Sequence, residues 1–403
     1  MASRLLPPVV VAVASMLGLG QVWRTAANNP HWHLAGELFR SQTVRTGSHN
    51  KKAGSAMVVV RQIDVARVAG VSQTTVSMVL NERTGGSARI SEDTRARVLS
   101  AIKKTGYVAN PIAQSLAGHR TGMFGVFAFE PMFTAEAGGF YTDFLGGIEA
   151  AGEAARKDLL LFTSTVLDEP DNHIYRRNEN RLRLTDGAIL LGNGEPKMEL
   201  ARLHEDGFPF VYIGRREIPN GEISYVSADY AAATADLVER LVAVGHERLC
   251  YVGTGADASA SIDRRRAFVD TLRDAGLPVD RPVPAGHGDY AAVRQAVEAG
   301  ATALLVEPPV GIDQLTAVIE RAGYRVPADV SVALLGDVHG HSVRPDDWSG
   351  YRLPRWEMGM QAVKLLVRLM EEPGGPARRV VVPCLPHDGS TVAPASRPGR
   401  GRR

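Results

Sequence analysis

Six side chains within nine residues, Gln73, Thr74, Thr75, Ser77, Met78 and Asn81, would form one short polar and uncharged surface if the segment is helical. Amides and hydroxyls present directional donors and acceptors, which suits reading base edges more than neutralising phosphates. Arg264 heads the run Arg264-Arg265-Arg266, four residues before Phe268. Its planar fork can grip neighbouring hydroxyls or a carboxylate, or it is a solvated charge. Phe140 and Tyr141, after Gly138-Gly139, offer aromatic faces that either stack on a sugar or nucleobase or pack in a core. Asp337 follows an apolar run, with His339 and His341 close behind. That histidine pair lacks a third ligand at metal-binding spacing and reads as loop. Gly253-Thr-Gly-Ala-Asp-Ala258 mimics a dinucleotide fingerprint, but no clear helix opens at once after it, so it reads as a cleft loop. No G-x-S-x-G, Walker loop or H-E-x-x-H motif occurs, so catalysis and a cofactor have no positive support.

Apolar spacing indicates what holds these groups. Ile63 and Ala66, with Val65 and Ala69, predict a short helix, and Gly70 then supplies a turn. Ser72 predicts the N-cap of a second helix, Gln73–Leu80, whose Val76, Val79 and Leu80 must face inward. Thr74, Ser77, Met78 and Asn81 are thereby turned outward, with Gln73 and Thr75 at the flanks. A third helix starts near Ser91, takes its core face from Val98, Leu99 and Ile102, and ends at Gly106. Three short helices with a glycine turn between the first two make a helix-turn-helix pattern. Asn110 as N-cap, Pro111 as first residue and Gly118 as stop then frame a helix of about two turns, marginal when alone. Its apolar face is Ala113 and Leu116, with Ala117 alongside.

After Thr121 the pattern changes. Compact apolar runs predict strands at Met123–Phe129, Leu159–Thr163, Ala188–Leu191, Phe210–Ile213, Leu249–Gly253, Ala303–Val306 and Val330–Leu335. Amphipathic segments predict helices such as Phe144–Arg156, Ala231–Val244, Arg264–Ala275 and Gln314–Ala322. This alternation implies doubly wound parallel sheets, which bind ligands beyond the carboxyl ends of their strands.

The charge is segregated in the same way. The 403-residue chain is 44% hydrophobic and 22% charged, with a formal net charge of +2. Residues 57–120 carry nine Lys/Arg against four Asp/Glu, a net of +5, whereas residues 121–392 carry 27 against 39, a net of −12. A small basic module suited to a polyanion is joined to a large acidic one that repels it. Disordered, collagen-like and disulfide-stapled classes are excluded, and Cys250 with Cys384 fit a reducing compartment, the cytoplasm. Leu5–Gly20 is an apolar stretch behind Arg4 that looks like a signal-peptide core, shorter than the ~20 apolar residues of a membrane span. Met57 is taken as the working start, and residues 1–56 as a disordered or mis-assigned extension.

The run Gln62-Ile-Asp-Val-Ala-Arg-Val-Ala-Gly-Val-Ser-Gln-Thr-Thr-Val-Ser-Met-Val-Leu-Asn81 resembles the head of the lactose/galactose repressor (LacI/GalR) family. So do Arg89-Ile-Ser-Glu-Asp-Thr-Arg-Ala-Arg-Val98, Gly106-Tyr-Val-Ala-Asn-Pro111 and Ala113-Gln-Ser-Leu-Ala-Gly118, and a weaker resemblance runs to about Pro394. The resemblance implies an α plus α/β architecture: a three-helix head at 57–109, a hinge helix at 110–120, a two-lobed periplasmic-binding-protein-like domain at 121–394 and a basic tail at 395–403. It implies a homodimeric transcriptional regulator, read as a repressor, that binds a near-palindromic duplex operator and a small-molecule effector of carbohydrate type. Ser72, Gln73, Thr74, Thr75, Ser77, Met78 and Asn81 would face DNA. Asn110, Ala113 and Leu116 would enter the minor groove, with Leu116 as a wedge; an inert linker helix is the plainer alternative. Phe140, Tyr141, Arg264 and Asp337 would meet the effector.

The chain departs from the family in its Glu82–Arg89 stretch, which looks longer than usual, and at three further places. Met78 stands where relatives often carry a guanine-reading arginine, Pro308-Pro309 where they have Asn-Asp, and Gly336-Asp337 where they have paired aspartates. The last two changes point away from an ordinary monosaccharide, toward another ligand or a cleft that has lost its own. A solute-binding protein and a cleft enzyme are the rival readings.

Overall fold

Asp64 and Gly70 bracket the first helix, α1 (Gln62–Ala69). The Asp64 carboxylate accepts the Arg61 backbone N–H at 3.0 Å, and Gly70 takes a left-handed φ of 66° that a side chain would strain. In α2 (Gln73–Leu80) the first turn is closed by Ser72, whose Oγ accepts the Thr75 N–H at 3.1 Å. Ser91 caps α3 (Glu92–Thr105) in the same way through the Thr94 N–H at 3.2 Å. These helices enclose a small core of Val65, Ala66, Ala69, Val76, Val79, Val98 and Ala101. Leu99, expected inside, is 51% exposed. Successive residues point about 100° apart around a helix, so Val98 and Ala101 centre the α3 stripe and Leu99 falls off it.

The computed structural model describes residues 60–80, 90–108 and 120–395, except 134–138, 164–173, 177–178, 193, 195, 254, 256–257, 281, 286–289, 309 and 339–346. Asn81, the Glu82–Arg89 stretch, Asn110, Ala113, Leu116, His339, His341, the leader and the basic tail lie outside the described residues. The chain forms two compact units that divide after Val108.

The second unit is two doubly wound lobes. Lobe 1 comprises β1 (Met123–Ala128), α4 (Thr142–Ala154), β2 (Asp158–Phe162), β3 (Gly187–Leu191), α5 (Lys197–Glu205), β4 (Phe210–Ile213) and β5 (Tyr225–Ala228). Lobe 2 follows with α6 (Tyr230–Ala243), β6 (Leu249–Gly253), α7 (Ser259–Asp274), β7 (Val283–Pro284), α8 (Ala291–Glu298), β8 (Ala303–Val306), α9 (Ile312–Arg321), β9 (Ser331–Leu335) and β10 (Ser349–Arg352). The chain then returns to lobe 1 with α10 (Arg355–Glu371) and β11 (Arg379–Val382), and to lobe 2 with β12 (Leu385–His387). The sheet orders are β2-β1-β3-β4-β5-β11 and β7-β6-β8-β9-β10-β12, parallel throughout except for antiparallel β12. Three crossings, at 228–230, 352–355 and 382–385, therefore join the lobes.

Both faces of each sheet are covered, which is why the central strands read as unbroken apolar runs. In β3, Ile189 and Leu191 pack under α4 and α10, while Ala188 and Leu190 face α5. Alternation in β8 likewise sends Leu304 and Val306 to α8 and α9, and Ala303 and Leu305 to α6 and α7. The α4–α10 contact is made backbone to backbone. A Cβ on Gly147 would overlap the Trp356 carbonyl, and one on Gly359 the Phe144 carbonyl. Where the linker enters lobe 1, the buried Asp186 carboxylate accepts the N–H groups of Thr121 and Gly122, the Thr121 hydroxyl and the Lys157 ammonium. Burial raises its pKa, but these donors outweigh burial and leave it below the usual carboxylate value.

His246 fastens the far end of the chain to lobe 2. One ring nitrogen lies 3.0 Å from the Ala393 carbonyl and the other 2.9 Å from the Thr302 hydroxyl. A carbonyl only accepts, so Nε2 donates. Burial holds the His246 pKa below 6.5, the Ala393 bond opposing. The unfolded chain therefore takes up this proton first as pH falls below about 6.5, and folding stability falls with it. His246→Gln should cost about 1–2 kcal/mol at pH 7 through the lost hydrogen bonds and flatten the slope between pH 6.5 and 5. Urea unfolding at several pH values checks this; an unchanged slope would exclude His246 as its source.

Candidate functional site

The outward side of α2 carries no acidic or basic residue. Gln73 and Thr74 are exposed, Thr75, Ser77 and Met78 are half-buried, and Val76 and Val79 lie beneath. The Ser72 hydroxyl is taken up by the cap and by a 2.9 Å bond to the Thr75 hydroxyl, so Ser72 orients Thr75 as well as closing the helix. The same module exposes Arg61 and Arg67 at α1 and Lys103 and Lys104 in the last turn of α3. A short uncharged reading surface inside a basic module can take sequence from base edges and affinity from phosphates.

In the second unit a cleft opens beyond the carboxyl ends of the strands, where each sheet reverses its winding order. Phe140 and Tyr141, entering α4, form one wall of it; Leu191 and Gly192 follow β3, Arg215 and Arg216 follow β4, and Tyr230, Ala258 and Asp263 come from lobe 2. Phe140 packs edge-on against Tyr141 and Phe144, with ring centroids 5.3 and 5.6 Å apart. Burial, reinforced by its bond to Glu130, pushes the Tyr141 phenol far above its usual pKa, so it stays neutral and donates. Both expected aromatics thus face the cleft.

Arg264 and Asp337 do not line that cavity. Arg264 is 6% exposed and sits one layer behind the wall, its guanidinium carbon 4.2 Å from the Tyr230 ring centroid. Its Nε donates to the Tyr351 hydroxyl at 3.0 Å, and Nη1 lies 3.6 Å from Glu307 Oε1. Burial works against its charge, but Tyr351, Tyr230 and Glu307 more than restore it, and its pKa stands above the ordinary arginine value. Asp337 borders a neighbouring cavity with Tyr351, Arg352, Arg355 and His387. One Asp337 oxygen accepts the Leu353 N–H at 3.0 Å; the other is 3.7 Å from Arg355. Arg355 connects the two regions, donating to the Phe140 carbonyl at 3.2 Å and pairing with Asp143 at 2.9 Å.

Arg215 and Asp263 come from different lobes and meet at 2.8 Å across the cleft. Burial raises the Asp263 pKa, with Arg215 opposing. Both groups are about one-third exposed, so the pair contributes about 1 kcal/mol or less to closure. Asp263→Asn should shift an interlobe energy-transfer distribution toward wider separations; an unmoved distribution would show that the pair does not hold the lobes.

Spacing arguments missed Glu307, Tyr230, Tyr351, Arg215 and Arg355. Glu307 was the most findable, as a charged residue directly after a wholly apolar strand. The glycine run Gly253–Ala258 also needs correction, since α7 opens at Ser259 with Ala258 at its N-cap. Its polar first turns concealed it, the buried apolar positions starting only at Phe268. Among the described residues, no three His, Cys, Asp or Glu side chains are grouped to hold a metal, and no helix is long and apolar enough to cross a membrane.

Residues 63–110 match the family model described as bacterial regulatory proteins, lacI family, and residues 238–392 match that of the periplasmic binding protein-like domain. The transcriptional regulator CelR of Thermobifida fusca is 29% identical over 330 residues, covering 79% of this chain and 94% of CelR. Catabolite control protein A of Priestia megaterium is 28% identical over 322 residues, covering 77% and 92%. Among solved structures, a CelR–cellobiose complex aligns at 25% identity with a TM-score of 0.54, over 82% of this chain and 99% of that one. A lac repressor dimer on operator DNA aligns at 19% identity with a TM-score of 0.59, over 83% and 99%, a likeness of fold.

Proposed function

We infer that the chain is a lacI-family bacterial regulatory protein, a sequence-specific DNA-binding transcriptional regulator whose operator affinity is set by a small molecule in the cleft of its second unit. It acts in the cytoplasm as a homodimer, as a repressor rather than an uptake protein or an enzyme. The observation that carries this reading is the uncharged outer face of α2 on a basic three-helix head, in the same chain as a two-lobed cleft. Two heads related by a two-fold axis call for a near-palindromic operator. The complex of CelR with cellobiose supports a carbohydrate as the effector class.

Within this reading Gln73, Thr74, Thr75, Ser77, Met78 and Asn81 face the major groove, with Ser72 holding Thr75 in place. Asn110, Ala113 and Leu116 belong to a hinge in the minor groove, where Leu116 wedges a base step at a cost offset by bending. Phe140 and Tyr141 give the effector an aromatic wall, and Arg264 and Asp337 support that wall from behind and beside it. The head spans 57–109, the hinge 110–120 and the sensing domain 121–394.

Selection of duplexes from a random pool, followed by binding with and without sugars, tests the function. One palindromic family should emerge, its affinity should fall as salt rises with a log–log slope of about −0.9 per phosphate neutralised, and a carbohydrate should shift it. Equal affinity for every duplex would overturn the reading. Met78→Arg should introduce a preference for guanine at one position per half-site, worth about 1–3 kcal/mol of discrimination. An identical selected sequence would remove Met78 from the reading surface.

A further inference from the structure

The arginines around the cleft are already engaged. Arg215 pairs with Asp263, Arg355 with Asp143 and Asp337, and Arg216 donates to the carbonyls of Gly192 and Gly194. Arg264 is answered by Glu307, and this match is the anomalous one. Glu307 is 1% exposed at the carboxyl end of β8, and among the described residues its Oε1 has no hydrogen-bond partner although Arg264 Nη1 is 3.6 Å away. A buried oxygen left without a donor costs stability, so this pair is not the arrangement that packing alone would select. What Glu307 does supply is a negative charge beside Arg264, directly behind the Tyr230 ring that faces the cavity.

We propose that Glu307 sets the charge of the ligand the cleft accepts. By cancelling Arg264 behind the Tyr230 wall, it makes the cleft a site for an uncharged, hydroxyl-bearing molecule and turns away sugar acids and sugar phosphates. The rest of the wall agrees. Leu191, Ile213 and Met358 join the two aromatics in an apolar face, which suits the carbon side of a neutral pyranose. The inference rests on the cleft being the effector site. Its electrostatic content does not depend on which neutral sugar is taken, because the field of an unmatched guanidinium acts on any anion placed in the cleft.

The test uses the full chain, Glu307→Gln, and the double variant Arg264→Gln/Glu307→Gln, titrated calorimetrically with cellobiose, with its acid cellobionate and with inorganic phosphate. Wild type should take cellobiose in preference to both anions. Glu307→Gln should bind the anions on the order of tenfold more tightly than wild type, with a gain that salt erodes. The double variant should lose that gain, which routes it through Arg264. A folded Glu307→Gln with no gain overturns the proposal, as does a wild type that takes the acid as tightly as the neutral sugar. If wild type binds neither disaccharide, the carbohydrate reading fails separately, and phosphate still decides the charge: a gain in Glu307→Gln supports the proposal and its absence overturns it. Should Glu307→Gln not fold, the wild-type preference between cellobiose and cellobionate decides.

Discussion

Val76→Asp is expected to abolish operator binding while leaving the second unit folded and able to bind its ligand. Val76 is fully buried at the middle of α2, in a core of seven small residues. An aspartate there meets only apolar neighbours, and burying a carboxylate without a partner costs several kcal/mol, about 3–5 by comparison with broken buried ion pairs. A three-helix module of this size has about that much stability in total, so the head unfolds. Thr74, two residues away on the exposed side, gives the control, because Thr74→Ala should keep the head folded and change only which duplexes are preferred. Circular dichroism and calorimetry would follow folding, and fluorescence anisotropy would follow DNA binding. The two compact units predict that the second unit's unfolding transition stays where it is. Retained operator affinity in Val76→Asp would mean that α2 is not the reading helix.

Much of the head was legible because its signals are local. Ser72, Ser91, Gly70 and Gly106 mark helix ends through hydrogen bonds and backbone geometry that involve only near neighbours in the chain. The lobe strands were legible for another reason: a strand covered on both faces must be apolar throughout, and Phe210–Ile213, Leu249–Gly253 and Ala303–Val306 begin and end where their apolar runs do. Strands that carry less apolar surface escaped. Ser349–Arg352 is buried at three positions yet reads Ser-Gly-Tyr-Arg, and its place in the sheet comes from pairing with β9 and β12 rather than from its own composition. Leu99 failed for a related reason, since a run of adjacent apolar residues does not say which of them centres the buried stripe.

The site was legible in its aromatic wall and less so in its charges. Phe140 and Tyr141 could be placed because they enter a helix after the first strand of a doubly wound sheet, a position that fixes them near the switch point. The environment of Arg264 could not be read this way. Its neighbours Tyr230, Glu307 and Tyr351 come from α6, the end of β8 and β10, separated from it by 34, 43 and 87 residues and brought together only by the winding of lobe 2. Asp337 is similar: its partner Arg355 belongs to the helix that recrosses to lobe 1.

Arg264→Ala should lower the stability of the second unit by about 3–5 kcal/mol, the range for leaving a buried partner charge uncompensated. Glu307 would then be a fully buried carboxylate, and the hydroxyl of nearby Tyr251 is itself without a hydrogen-bond partner among the described residues. The Tyr351 hydroxyl would also lose its donor, keeping, among the described residues, the 3.3 Å contact to Thr234. Arg264→Ala/Glu307→Gln should recover a large part of the loss, because removing both charges leaves neither member of the pair buried without its counter-ion. In a double-mutant cycle the coupling should therefore be well above the ~0.3–0.5 kcal/mol seen between independent sites. This outcome separates two roles for Arg264. A guanidinium that mainly grips ligand would, when truncated, weaken binding with little change in unfolding, and Glu307→Gln would rescue nothing. A guanidinium that neutralises the interior behind the cleft would change unfolding first and ligand binding as a consequence. The buried 3.6 Å approach to Glu307, the stacking on Tyr230 and the bond to Tyr351 favour the second. Urea unfolding of the four chains, read at the second unit's transition, decides between them.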